Sequence, residues 1–210
     1  MRNNTVFVLL AGGKSERMGV AKGLLKYKHT YWILEQLNRI TTSKIEEVII
    51  GLGFNYQHYF DAIPSFEDAL TKQINFQGLK VKIVINKTPE LGSFSTLQSV
   101  LKKIDSSNDI VINHIDIPIL NSIELNKIIS IENEIVLPKF EGKNGHPIKI
   151  SSSLWNKLLQ LNPTDKEARL DVQLKKVNPA KTSIIEVFDR AILYNFNTKK
   201  EWISFLNTIC

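Results

Sequence analysis

The sequence predicts an α/β protein: a doubly wound, mainly parallel mixed β-sheet, formed as a single domain over residues 1–210. Three observations predict it. Short runs rich in Val and Ile recur at 5–10, 47–51, 80–85, 109–113 and 134–138, and their apolar residues are mostly continuous rather than alternating. That is the pattern of strands covered on both faces. Amphipathic stretches of helical spacing lie between these runs, and alternation of strand and helix builds a doubly wound sheet. A chain of 210 residues suffices for one sizeable core and is short for two.

In chain order, the first strand runs into the loop LLAGGKSERMG, which starts at Leu9. Trp32, Ile33, Gln36, Leu37 and Ile40 share one helical stripe. Residues 54–78 predict one or two helices around Pro64. Phe94, Leu97, Val100, Leu101 and Ile104 form a second stripe, and 121–130 a third helix with Asn121 or Ser122 as its N-cap. An Asn144-Gly145 turn between 134–140 and 146–150 predicts a β-hairpin insertion. Short strands are expected at 182–187 and 191–194. A closing helix at 199–206 carries Trp202, Phe205 and Leu206.

Composition narrows the function classes. At 43% hydrophobic and 23% charged, the chain reads as a soluble globular protein. No apolar run approaches the roughly 18 to 20 residues that span a membrane, and no secretory leader pattern opens the chain. A cytoplasmic protein without a membrane partner is the expectation. A single cysteine, Cys210, excludes an internal disulfide framework and any multi-cysteine metal site. The net charge of +6 suits either a nucleic-acid surface or a pocket for small polyanions. The Lys residues are scattered, and pairs such as Lys102-Lys103 read as solvated helix faces. Small polyanions are therefore expected, and no nucleic acid.

The opening loop contains Gly13-Lys14-Ser15, the tail of a Walker A motif, whose first Gly would fall on Val8 inside the strand. A dinucleotide G-x-G-x-x-G loop fails as well, because Gly12 and Gly13 are adjacent and the next Gly is Gly19. What remains is a strand, two glycines, and Lys14, Arg17 and Lys22 beyond its carboxyl end. Adjacent glycines admit a base or phosphate without Cβ clash. Spacing alone leaves two readings, a nucleotide-binding loop and a solvated turn.

The stretch LLAGGKSERMGVAKGLL, residues 9–25, resembles the signature L-A-G-G-x-S-x-R-M-G-x-x-K-x-L-L of the MobA-like nucleotidyltransferases. INHIDIPIL, 112–120, is similar to that family's D-x-P element, with Asp116 and Pro118 in place. LGSFSTLQS, 91–99, and GKNGHPIKIS, 142–151, resemble elements of the cytidylyltransferase branch. YNFNTKKEW, 194–202, resembles the N-x-N-T-P-E-E element of the guanylyltransferase branch, with Lys199 where Pro is usual. The mixture leaves GTP and CTP both open. Ala21 stands where guanylyltransferases usually carry Asp.

The resemblance implies the Rossmann-like fold of nucleotide-diphospho-sugar transferases and a Mg²⁺-dependent reaction. A phosphorylated acceptor attacks the α-phosphate of the NTP and pyrophosphate leaves. Molybdopterin or the molybdenum cofactor is the implied acceptor, and a molybdoenzyme or its chaperone the implied protein partner. A phosphate monoester, with its second pKa near about 6, needs no general base, so the demand falls on cations and alignment. Arg17, Lys22 and Asp116 are the implied catalytic residues. Leu10, Ala11, Gly12, Gly13, Lys14, Arg17, Lys22, Ser93 and Ser95 would bind nucleotide, and His146 and Asn195 the acceptor. Asp116 and Asn197 would hold the metal, with Asn195 as the alternative amide. His114 reads as a structural histidine. Two other functions share these residues: a sugar- or alditol-phosphate nucleotidyltransferase, and a non-catalytic nucleotide-binding partner of a molybdoenzyme.

Overall fold

The structure, a computed structural model, describes residues 4–208, and Cys210 lies outside them. Strand β1 (Thr5–Ala11) lies within a nine-stranded sheet. Successive side chains of a strand point to opposite faces. Phe7, Leu9 and Ala11 accordingly enter one apolar cluster, and Val6, Val8 and Leu10 another. Both faces are covered, which is why the run is apolar throughout. A small ribbon, β2 (Lys26–Tyr27) with β3 (Thr30–Tyr31), leads into α1 (Trp32–Thr41). Trp32, Ile33, Leu37 and Ile40 of α1 are fully buried on the first cluster.

Strand β4 (Glu47–Leu52) pairs parallel to β1 and is followed by α2 (Tyr56–Ala62) and α3 (Ser65–Asp68), with Pro64 between them. The two helices match the expectation for 54–78. The third element of that stretch, β5 (Ile74–Phe76), was not anticipated. It forms a hairpin with β6 (Leu79–Ile85) through Gln77 and Gly78, at φ of 52° and 91°. Two successive left-handed residues make the tight turn that joins antiparallel strands.

Helix α4 (Ser93–Leu101) then packs on the second face, β7 (Asp109–His114) pairs parallel to the other side of β1, and α5 (Ser122–Ser130) returns to the first face. Asn121 caps α5, its side chain accepting from Glu124 N at 3.1 Å. Strands β8 (Ile135–Phe140), β9 (Lys143–Asn144) and β10 (Ile148–Ile150) form the expected insertion, with one correction. The turn sits at Glu141-Gly142, whose φ values are 46° and 80°, and Asn144 is paired with Lys139 inside the ladder. Gly145 serves packing instead: a Cβ there would lie 2.7 Å from Ile192 Cβ.

The remaining elements are α6 (Ser152–Leu158), α7 (Leu170–Lys175), β11 (Thr182–Glu186) and α8 (Lys199–Thr208). The strand expected at 191–194 is a 3₁₀ turn, Arg190–Leu193. Asp189 accepts from Ala191 N at 2.9 Å, a cap that commits the segment to helical turning. The sheet order is β11-β8-β10-β7-β1-β4-β6-β5, with β9 added on β8. Strands β1, β4, β6, β7, β8 and β11 run one way, and β5, β9 and β10 the other. The doubly wound, mainly parallel mixed sheet is as expected. Among the described residues no helix is long and apolar enough to cross a membrane.

Candidate active site

The chain leaves β1 for β4 on one side and reaches β7 on the other, so the order reverses between β1 and β7. Ligands of open α/β sheets bind outside the carboxyl ends of strands at such a switch point. Register puts Leu10 beside His114 and Ala11 beside Leu52. The Gly12-Gly13 loop and the His114–Asp116 turn therefore emerge together.

A cavity of about 780 Å³ opens there. Gly12, Gly13, Lys14, Arg17 and Lys22 line it with Asp116 and Asn197. Gly12 is close-packed: a Cβ would lie 2.8 Å from Thr96 Oγ1. Gly53 is tighter still, its Cβ falling 2.6 Å from Gly12 O, while Phe54 N donates to that same oxygen at 3.2 Å. Backbone meets backbone, so neither side can yield cheaply. Gly53→Ala is expected to cost about 1–3 kcal/mol of stability and to weaken nucleotide binding. Thermal melting and GTP or CTP titration would check both.

Three side chains converge at the mouth. Lys22 Nζ donates to Asp116 Oδ2 at 2.6 Å and to Asn197 Oδ1 at 3.0 Å. Asn195 Oδ1 accepts from Asn197 Nδ2 at 3.0 Å, which turns the Asn197 oxygen toward Lys22. Phe196 N donates to Asp116 O at 2.9 Å, tying the segment to the β7 turn. Thr198 caps α8. Glu201 accepts from Thr198 N at 2.7 Å and donates its own N–H to Thr198 Oγ1 at 3.3 Å. This is a capping box, spelled T-K-K-E in the sequence.

A second cavity, of about 820 Å³, adjoins the first and shares Gly92, Ser93 and His114 with it. Its walls are mainly apolar, drawn from β8, β10, α7 and β11, with His146, Arg169 and Lys175 among the polar groups. His114 and His146 meet edge to face, their ring centroids 5.1 Å apart. Burial lowers the pKa of both imidazoles, that of His146 to about 3 with the neighbouring His114 contributing. Both are neutral near pH 7.

The sign of the pH effect follows. His146 binds a proton near pH 6.5 when unfolded and only near 3 when folded, so the unfolded state takes up more protons between those values. Stability is expected to fall as pH drops from about 6.5 toward 3, with a shallower fall in His146→Gln. Urea unfolding at pH 7.5, 6 and 5 would check it.

The sequence matches the MobA-like NTP transferase domain over residues 7–177. The chain belongs to the MobA-like NTP transferase family. It is a nucleotidyltransferase. No curated protein matches the sequence. Among solved structures, Rv0371c from Mycobacterium tuberculosis H37Rv superposes with a TM-score of 0.77 at 21% identity, covering 99% of both chains. A second structure of Rv0371c is a complex with manganese, at TM-score 0.72 and 20% identity, covering 99% of this chain and 100% of that one. Molybdopterin-guanine dinucleotide biosynthesis protein A from Archaeoglobus fulgidus gives 0.67 at 15% identity, over 98% of each chain. At these identities the likeness is one of fold.

In this MobA-like transferase, the expected residues divide. Leu10, Gly12, Gly13, Lys14, Arg17, Lys22, Ser93, Asp116 and Asn197 line the first cavity, and His146 the second. Ala11 instead turns its side chain into the apolar cluster, because it falls on the covered face of β1. Ser95 is 4% exposed and faces neither cavity. Its hydroxyl donates to Gly92 O at 2.8 Å and accepts from Asn86 Nδ2 at 2.8 Å, so it fixes the loop before α4. Asn195 supports Asn197 and lies outside both cavities. Lys14 pairs with Glu16 at 2.5 Å. Ala21 is buried in the apolar cluster beside Met18 and Leu24. His114, read from sequence as structural, stands at the junction of the cavities; only its place two residues before Asp116 hinted at this. Arg169 carried no signal, and the Lys175-Lys176 pair reads from sequence as a solvated helix face, whereas Lys175 lines the second cavity.

Proposed function

We propose that the protein is a Mg²⁺-dependent transferase that moves a nucleoside monophosphate from GTP or CTP to a phosphate monoester, releasing pyrophosphate. One observation carries this reading: Lys22, Asp116 and Asn197 converge at the mouth of a glycine-lined cavity that shares His114, Gly92 and Ser93 with a second cavity. Two substrates can thus meet at one point. The donor set fits a hard divalent cation. Asp116 and Asn197 offer two oxygens aimed at one cationic group, and Mg²⁺ takes its remaining ligands from phosphates and water. When bound there, the metal would neutralise charge developing on the triphosphate.

This chain's own residues supply the rest. The bare backbone of Gly12 and Gly13 lets a base or phosphate lie close. Arg17 and Lys22 offset the charge of the pyrophosphate leaving group. The attacking phosphate needs no base, and the neutral His114 can orient it without a positive charge to blunt its nucleophilicity. The mainly apolar second cavity favours an acceptor carrying a ring system, such as molybdopterin, over a sugar phosphate. A cytoplasmic, single-domain enzyme serving a molybdoenzyme fits this reading. The buried Ala21 and the amide of Asn197 favour a second reading, a nucleotide-binding partner without catalysis.

Incubation with each NTP, Mg²⁺ and a panel of molybdopterin, sugar and alditol phosphates would test it. Pyrophosphate release with GTP or CTP and molybdopterin is expected. Turnover of a sugar phosphate while molybdopterin is ignored would replace the acceptor. Binding of nucleotide without release for any acceptor would favour the non-catalytic reading.

A further inference from the structure

The Lys22 ammonium occupies the pair of oxygens that the functional reading assigns to the metal. It lies 2.6 Å from Asp116 Oδ2 and 3.0 Å from Asn197 Oδ1, and the Lys22 and Asp116 side chains are only 14% and 21% exposed. A divalent ion held by those same two oxygens would compete with the ammonium for them and carry like charge. The two cations exclude one another. Lys22 also differs from its neighbours in what is fixed and what is free. Its backbone N donates to Ser15 Oγ at 3.3 Å and its carbonyl accepts from Leu25 N at 3.3 Å, so the anchor is held. The ammonium rides on a flexible four-carbon stem and can travel several ångströms without backbone movement. Asn197 is fixed through Asn195 Oδ1, and its N–H is bound by Glu201 at 2.8 Å, so its receiving oxygen stays in place.

We propose that Lys22 is a tethered stand-in cation: without nucleotide it closes the metal seat, and an arriving triphosphate draws it off so that metal binds together with nucleotide. The inference rests on the functional reading of this site. In the resting protein the ammonium satisfies a half-buried carboxylate that would otherwise be costly to leave unpaired. A triphosphate lying along Gly12, Gly13 and Arg17 offers Lys22 denser negative charge than a single carboxylate. Linkage then requires that nucleotide and metal each raise the other's affinity by the same factor.

Calorimetric titration of Mn²⁺ in the absence of nucleotide tests this without reference to activity. Wild type is expected to bind weakly, and Lys22→Met to bind roughly tenfold more tightly or better, the gain expected from removing a charge-assisted competitor. Lys22→Arg keeps the charge and should stay weak. Adding Asp116→Asn to Lys22→Met should abolish the gain. Equal Mn²⁺ affinity in wild type and Lys22→Met, or tightening in Lys22→Arg, would overturn the proposal. So would no Mn²⁺ binding by Lys22→Met while GTP or CTP still binds, which spares the nucleotide cavity. Loss of metal and nucleotide binding alike, in wild type as well, would count against the functional reading itself.

Discussion

Asp116→Asn is expected to lower the rate of pyrophosphate release by roughly 10²- to 10³-fold. The substitution keeps the shape of a side chain that is 21% exposed, and the Asp116 carbonyl still accepts from Phe196 N. What it removes is the formal charge at the point where Lys22, Asn197 and both cavities meet. On the proposed function the loss appears in kcat more than in nucleotide affinity, because the charge would act where the leaving group develops. Steady-state pyrophosphate release, paired with GTP and CTP titration, would separate the two. Release that survives unchanged would count against the seat formed by Asp116 and Asn197.

Phe196→Ala is expected to cost about 3–5 kcal/mol of stability, equivalent to roughly 10 °C in Tm for a domain of this size. Phe196 is 1% exposed. Its ring lies 5.7 Å from Trp32, 5.1 Å from Trp202 and 4.7 Å from Phe205. Trp32 in turn donates to Ile115 O at 2.7 Å. The cluster thus clamps α8 and α1 against the turn that carries Asp116. Activity of the folded fraction should fall as well, since Asn197 follows Phe196 directly. Urea unfolding of Phe196→Ala beside Phe196→Leu, which retains much of the apolar volume, would check this. A loss below 1 kcal/mol would mean that α8 is held elsewhere.

Much of this arrangement was legible in the sequence. Continuous Val and Ile runs marked β1, β4, β6, β7 and β8, because burial on both faces removes any alternation. The lining residues from the opening loop, with Asp116 and Asn197, were named from the resemblance to the MobA-like signature. The misreadings have specific physical sources. The turn of the insertion was placed on Asn144-Gly145, because Asn-Gly is the stronger hairpin signal. The structure spends Gly145 on contact with Ile192, and Glu141 takes the left-handed conformation instead. Strand β5 was hidden because Gln77-Gly78 is a weaker turn pair and the strand has three residues. Ser95 and Asn195 were assigned to ligands since their type and neighbourhood fitted. Whether a hydroxyl faces a cavity or its own loop depends on tertiary partners such as Asn86, which lie outside the motif.

The two cavities draw most of their walls from different parts of the chain. Loops after β1, β4 and β6 line the first, and β8, β10, α7 and β11 supply most of the second, while Gly92, Ser93 and His114 belong to both and Leu91 and Phe94 also line the second. Among the described residues, Asn197 alone returns from the far end to the first cavity. On the proposed function, most of the donor wall precedes residue 117 and most of the acceptor wall follows it, with the 91–94 segment serving both. On that reading, drift in the later part would retarget the enzyme while the earlier part goes on recognising the same nucleotide, provided that the 91–94 and Asn197 segments are inherited with the earlier part. A chimaera joined at that seam, with 194–208 retained, is the natural starting material for making new nucleotide conjugates.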